Sequence, residues 1–135
     1  MNAPLIHEAA HATHEATRHF PEIVAMLIDA GVEFYHVDYL SRTTTFHDGE
    51  GESVVVGLPY EDLPPVAADF DADAVRADIL DSQTKGQTHE AFTRRAMRAG
   101  VQGYFAFLTG GRVTYLGRQG DQHTEWFPGT APAKS

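Results

Sequence analysis

A chain of 135 residues with 42% hydrophobic and 21% charged content has the size and make-up of one globular domain. It contains no cysteine, which excludes disulfides, thiolate catalysis and cysteine-ligated zinc or iron–sulfur centres. Its formal charge of −9 argues against a nucleic-acid backbone or an anionic lipid surface as partner, because both demand a basic footprint. The densest basic cluster, Arg94, Arg95 and Arg98, sits on one short helix.

Taken in order, residues 3–17 read as an alanine-rich helix with Ile6, Ala10, Thr13 and Thr17 as a mildly apolar stripe. Phe20-Pro21 interrupts it, since the residue before proline is pushed out of the α region and proline suits a first helical turn. A second helix is expected over 21–30, with Ile23, Leu27 and Ile28 on one face and Gly31 ending it. Strands are expected at 33–40, 43–47 and 52–56, the last two joined through Asp48-Gly49-Glu50-Gly51. Residues 57–70 carry three prolines but also Leu58, Tyr60, Leu63 and Val66, so this connection is expected to pack across the domain surface. Asp71 or Asp73 caps a helix running to about residue 82, with Val75, Ile79 and Leu80 inward. Lys85-Gly86 ends that helix, and Thr88 caps another that finishes at Ala99. Strands follow at 103–108, 112–116 and 122–127, with Gly110-Gly111 as a hairpin signal, and the tail from 128 is expected to fray.

The second half repeats the first. Ala30-Gly31-Val32-Glu33-Phe34-Tyr35 returns 69 residues later as Ala99-Gly100-Val101-Gln102-Gly103-Tyr104. Identities continue downstream at Thr45/Thr114 and Gly51/Gly120, giving six matches over 20–57 and 89–126 where about two are expected by chance. The physical reading is a helix ended by a glycine with φ > 0, followed by a β-branched residue opening a strand. The same offset lays Ile6 on Val75 and Ala10 on Ile79, so each half is helix–helix–strand–strand–strand. The expected fold is therefore α+β, one two-layer domain with a mostly antiparallel sheet, its halves covering about 1–66 and 70–127.

Four segments, Phe20-Pro21-Glu22-Ile23-Val24, Ala30-Gly31-Val32, Tyr35-His36-Val37-Asp38 and Thr43-Thr44-Thr45-Phe46, resemble the bacterial family called domain of unknown function 1398. Members of that family include small prophage-encoded proteins, some labelled phage envelope protein. The likeness runs from about residue 20 to 127 and rests on structural corners, so it implies a fold and brings no catalytic residues.

Two groups of residues are candidates for chemistry. His7-Glu8-Ala9-Ala10-His11 has the His-Glu-x-x-His spacing that puts two imidazoles on one helix face, and His14 follows one turn later. These three histidines define the alternative reading, a metal-binding protein or metal-dependent enzyme, with a divalent transition metal as cofactor. Asp48-Gly49-Glu50-Gly51-Glu52 clusters carboxylates but lacks the length and spacing of a calcium loop, and reads as a hairpin turn. On the first strand His36 and Asp38 share a face with Phe34, and Phe105 and Phe107 hold the equivalent places in the second half. With Trp126 they define a candidate ligand or interface surface. The first residues lack a basic region before an apolar run, and no apolar stretch is long enough to span a bilayer, so a cytoplasmic protein is expected. The expected function is a non-enzymatic binding or interaction module, with a homodimer as its partner state.

Overall fold

The computed structural model describes residues 1–128. The frayed tail expected from 128 onward lies outside those residues apart from Pro128 itself. The elements, in chain order, are helices α1 (Ala3–His14) and α2 (Phe20–Asp29), then strands β1 (Phe34–Asp38), β2 (Thr43–His47) and β3 (Ser53–Gly57). The second half gives α3 (Ala72–Thr84), α4 (His89–Arg98), β4 (Val101–Phe107), β5 (Arg112–Gly117) and β6 (Gln122–Trp126). The six strands form one antiparallel sheet in the order β3-β2-β1-β4-β5-β6. Among the described residues no helix is long and apolar enough to cross a membrane.

Local signals place the helices. The Asn2 side chain accepts the Leu5 N–H at 3.1 Å, Asp71 accepts Ala74 N–H at 3.0 Å and Thr88 accepts Ala91 N–H at 3.1 Å. Each cap satisfies a donor that the helix itself cannot. The first helix is shorter than expected: the chain turns at Ala16, which has φ 54, so Thr17 lies outside α1. Glycine marks the helix-to-strand corner in both halves, Gly31 at φ 90 and Gly100 at φ 96. Both corners lie in the left-handed region that a side chain disfavours.

The register places a pseudo-twofold axis. Phe34 faces Phe107 and Asp38 faces Gly103 across the β1–β4 seam, and the 69-residue offset exchanges those two pairs. His36 faces its own repeat-mate Phe105, so the axis passes through that pair. Backbone bonds obey it as well: Tyr39 N–H donates to Gln102 O, and Leu108 N–H to Glu33 O, both at 3.0 Å.

The helices cover one face of this sheet, α1 packing on α2 and α3 on α4. Tyr35, Val37, Tyr39, Phe46, Tyr104, Ala106, Val113 and Tyr115 point into that layer and are buried. They meet Ile6, Ile23, Leu27, Val75, Ile79, Phe92 and Met97 from the helices. Each fully buried aliphatic side chain contributes about 1.5–3 kcal/mol. The connection behaves as its apolar residues predict, with Leu58, Tyr60, Leu63 and Val66 all buried.

Two inward assignments are corrected. Leu80 is 56% exposed, and Asp78, at 1%, takes the inward place beside Val75 and Ile79. Ile28 is 54% exposed, whereas its repeat-mate Met97 is buried. Asp78 is tolerated inside because Gln87 Nε2 donates to its Oδ1 at 2.6 Å and Arg95 Nε lies 3.4 Å from the same oxygen.

Candidate interaction surface

Helices cover one face of the sheet, and strand alternation sends every second side chain to the other. The pairing registers arrange these outward residues in three rows running across all six strands. One row is Ser53, His47, Phe34, Phe107, Arg112 and Trp126. The middle row is Val55, Thr45, His36, Phe105, Thr114 and Thr124. The third is Gly57, Thr43, Asp38, Gly103, Leu116 and Gln122.

The first two rows carry a ladder of stacked rings. Phe34 stacks on His47 with centroids 4.7 Å apart and meets Phe107 at 5.9 Å. Phe107 in turn stacks on Phe105 at 5.9 Å. His36 lies flat on Phe105, 4.1 Å between centroids and 4° between planes. At the far end the Arg112 guanidinium sits 4.0 Å above the Trp126 ring. His36, Phe105, Phe107 and Trp126 are thus brought onto one surface, and Asp38 joins them from the third row. Sequence reading put Phe34 on this face without counting it as a site residue, and it missed His47 and Arg112 as members of the ladder.

Charge is depleted here. Only Asp38 and Arg112 among the eighteen outward positions are formally charged, and they have opposite signs. Asp38 is also internally occupied. Its Oδ1 accepts N–H groups from Leu40 at 2.9 Å and Ser41 at 3.3 Å. Burial pushes against ionisation, but those hydrogen bonds and the neighbouring His36 hold its carboxyl below the usual range.

The histidine helix is arranged differently from a metal centre. His7 and His11 are exposed, and His11 Nε2 lies 3.2 Å from Glu15 Oε2. His14 is instead tucked edge-on against Tyr60, centroids 5.7 Å apart, and lies 6.4 Å from the His89 ring. Among the described residues no group of three or more His, Asp or Glu side chains is gathered closely enough to hold a metal ion.

Beside His14 is a hydrogen-bonded chain that sequence reading did not find. Tyr60 Oη and His89 Nδ1 are 2.8 Å apart, and His89 Nε2 and Tyr104 Oη are 3.0 Å apart. Burial, with a smaller contribution from His14, lowers the His89 pKa to about 4, and burial raises both tyrosines. At neutral pH the chain is therefore uncharged, and both imidazole nitrogens are engaged. It borders a hollow of about 370 Å³ lined by His14, Glu15, Thr88, Glu90 and Arg94. Arg94 is already committed, donating to the Asp62 and Glu61 carbonyls and to Glu90. The chain fastens the crossing segment at Tyr60 to α4 and the sheet, which is a structural task.

A second polar group lies deeper. Tyr39 Oη, Thr93 Oγ1 and Asp78 Oδ2 are buried with no well-formed hydrogen bond among the described residues, although the Thr93 hydroxyl lies close enough to Tyr39 to oppose the upward push of burial on its pKa. Desolvation raises the Asp78 pKa to about 6 against the lowering effects of Gln87 and Arg95. No protein-family model matches the chain, and no curated protein matches it significantly.

Proposed function

We propose that this chain is a non-enzymatic interaction module that works as a homodimer, two copies meeting through the open faces of their sheets. The observation that carries this reading is the charge-depleted ring ladder on a sheet face that its own helices leave uncovered. Interface centres are depleted in charge and enriched in aromatic residues and arginine, which describes this surface. With six strands and three outward residues on each, the face measures roughly 30 by 17 Å in projection. Side-chain relief brings its accessible area towards the ~800 Å² per partner of a standard interface.

The choice of a second copy follows from charge. A chain of net charge −9 repels its own kind unless the contacting surfaces are neutral, and this face is the neutral one. Stacked rings also suit single-stranded nucleic acid, but such sites need a basic groove, and here Arg112 is the sole cation among the outward positions. A cytoplasmic location is part of the same proposal.

Sedimentation velocity at pH 7.5 tests the proposal. Wild type is expected to sediment as a dimer at tens of micromolar. Phe107→Asp places a carboxylate in the ladder and is expected to weaken association at least thirtyfold, the size of a ~2 kcal/mol hot spot, with an unchanged circular dichroism spectrum. A wild-type monomer throughout, or a dimer indifferent to Phe107→Asp, contradicts it.

A further inference from the structure

We propose that acid opens this dimer through His36, so that association of the two sheet faces is switched by protonation of the His36 imidazoles, one from each copy, at their centre. The inference rests on the face-to-face homodimer above and adds its regulation.

The geometry singles out His36. It sits in the middle row, on a central strand, at the point where the pseudo-twofold axis crosses the β1–β4 seam. Phe105 covers one side of its ring at 4.1 Å, and its imidazole makes no hydrogen bond to any described residue. A partner sheet lies about 10 Å away in such a packing and covers what remains of the ring. Protonation then leaves a cation between two apolar layers with no acceptor built to receive it, a costly arrangement.

The surroundings give little compensation. On its own strand His36 is flanked by Phe34 and Asp38; across β2 stand Thr45, His47 and Thr43; across β4 stand Phe105, Phe107 and Gly103. Asp38 is the one anion, and its Oδ1 already accepts two backbone N–H groups. His47 is a second imidazole. The helices pack on the opposite face, so no charged group reaches His36 from them. Within a single copy, burial already lowers the His36 pKa, with Asp38 opposing and His47 reinforcing that shift. Covering the face drives it further in the same direction. A group whose pKa is lowered by association binds its proton preferentially in the free copy, so protons favour dissociation as pH falls below the histidine range.

The sign is diagnostic. The sequence isoelectric point is about 5.2, so acidification towards pH 5.5 relaxes the mutual repulsion of two acidic chains. Loss of net charge favours association. A titrating group inside the interface has to work against that trend.

The test is the dimer dissociation constant by sedimentation velocity at pH 7.5 and 5.5 for wild type and His36→Phe, with circular dichroism at both values to confirm the fold. For wild type the expected rise is about tenfold or more. An ordinary histidine held neutral one unit below its pKa contributes up to about tenfold, the dimer holds two copies of His36, and the pKa already lowered in the free copy brings their product below about a hundredfold. His36→Phe, which places on the axis the residue already present at its repeat-mate, is expected to stay dimeric at both values with less than a twofold change. A wild-type dimer equally tight at both values overturns the switch and leaves the dimer standing. Acid release of His36→Phe equal to that of wild type also overturns it, by assigning the effect to another group. A wild-type monomer at pH 7.5 removes the dimer and the switch together.

Discussion

Position 78 carries a buried aspartate, and its repeat-mate, position 9, an alanine that is 0% exposed. Thr93 has Val24 as its mate, His89 has Phe20, and Tyr39 has Leu108. The two halves therefore share a backbone, down to the left-handed corners at Gly31 and Gly100, while Asp78, Thr93 and His89 make the second half the more polar at these places and Tyr39 is the one polar member supplied by the first. On the open face the contrast runs the other way. The first half supplies His36, Asp38 and His47, and the second supplies Phe105, Phe107 and Leu116 at the equivalent places. The two halves share their corners, and the side chains between them differ, giving a polar anchor inside and a mixed polar–aromatic surface outside.

The corners offer the largest test of that contrast. A Cβ at Gly100 would lie 2.2 Å from the Asp69 carbonyl oxygen, because the connecting segment crosses directly over it. At Gly31 the nearest atom is Met1 Cα at 3.7 Å. Gly31→Ala is expected to cost about 1–2 kcal/mol of left-handed backbone strain, and Gly100→Ala about 4 kcal/mol or more once the clash is added. Equal losses in urea unfolding would mean that the connection is not held over the second corner.

Next come the polar anchors, which respond to pH with opposite signs. Asp78 has a folded pKa of about 6, above its ordinary value of 3.8, so its folded state binds the proton more tightly. The stability it allows is greatest below 3.8 and is lost as pH rises through 6, by about 3 kcal/mol. His89, lowered from 6.5 to about 4, does the reverse. Its contribution is complete above 6.5 and is lost, also by about 3 kcal/mol, as pH falls towards 4. The two nearly cancel in wild type between pH 4 and 6.5. Asp78→Asn is expected to uncover stability that rises with pH, and His89→Phe, matching Phe20 of the other half, stability that falls with pH. Parallel slopes in the two variants would show that these groups do not titrate as their burial implies.

Much of this contrast was legible beforehand, and its gaps have physical causes. The helix–glycine–valine–strand corners, the caps at Asp71 and Thr88, and the shared face of His36, Asp38, Phe105 and Phe107 are local or period-two signals, and all of them appear in the fold. The interior polar groups depend on partners far along the chain. Helical spacing allows either Leu80 or Asp78 beside Val75 and Ile79, and hydrophobicity alone chooses Leu80. Gln87 and Arg95, on the following turn and helix, reverse that choice. His89 is anchored by tyrosines 29 and 15 residues away, which no local pattern connects. The histidine helix shows how little spacing says about side-chain direction: three imidazoles line up along it, but His14 turns towards Tyr60 while His7 and His11 are exposed.

The smallest expected effect lies in the hairpin turns. Arg42 adopts φ 60 where its mate Gly111 has φ 66, so one half makes this turn with a strained side chain and the other with glycine. Arg42→Gly is expected to stabilise the protein by up to about 1 kcal/mol, and Gly111→Ala to destabilise it by a similar amount, both read from thermal unfolding.

The open face carries a built-in reporter, because Trp126 is the chain's one tryptophan and stands at the end of the ring ladder beside Arg112. Its emission followed while the protein is diluted from 100 µM to 10 nM at pH 7.5 addresses the central claim most directly. A homodimer joined through this face predicts a red shift of the emission maximum as Trp126 meets water, with a midpoint that matches the sedimentation dissociation constant. Emission that stays constant across the dilution, while sedimentation shows dimer turning into monomer, would place the interface elsewhere and contradict the account.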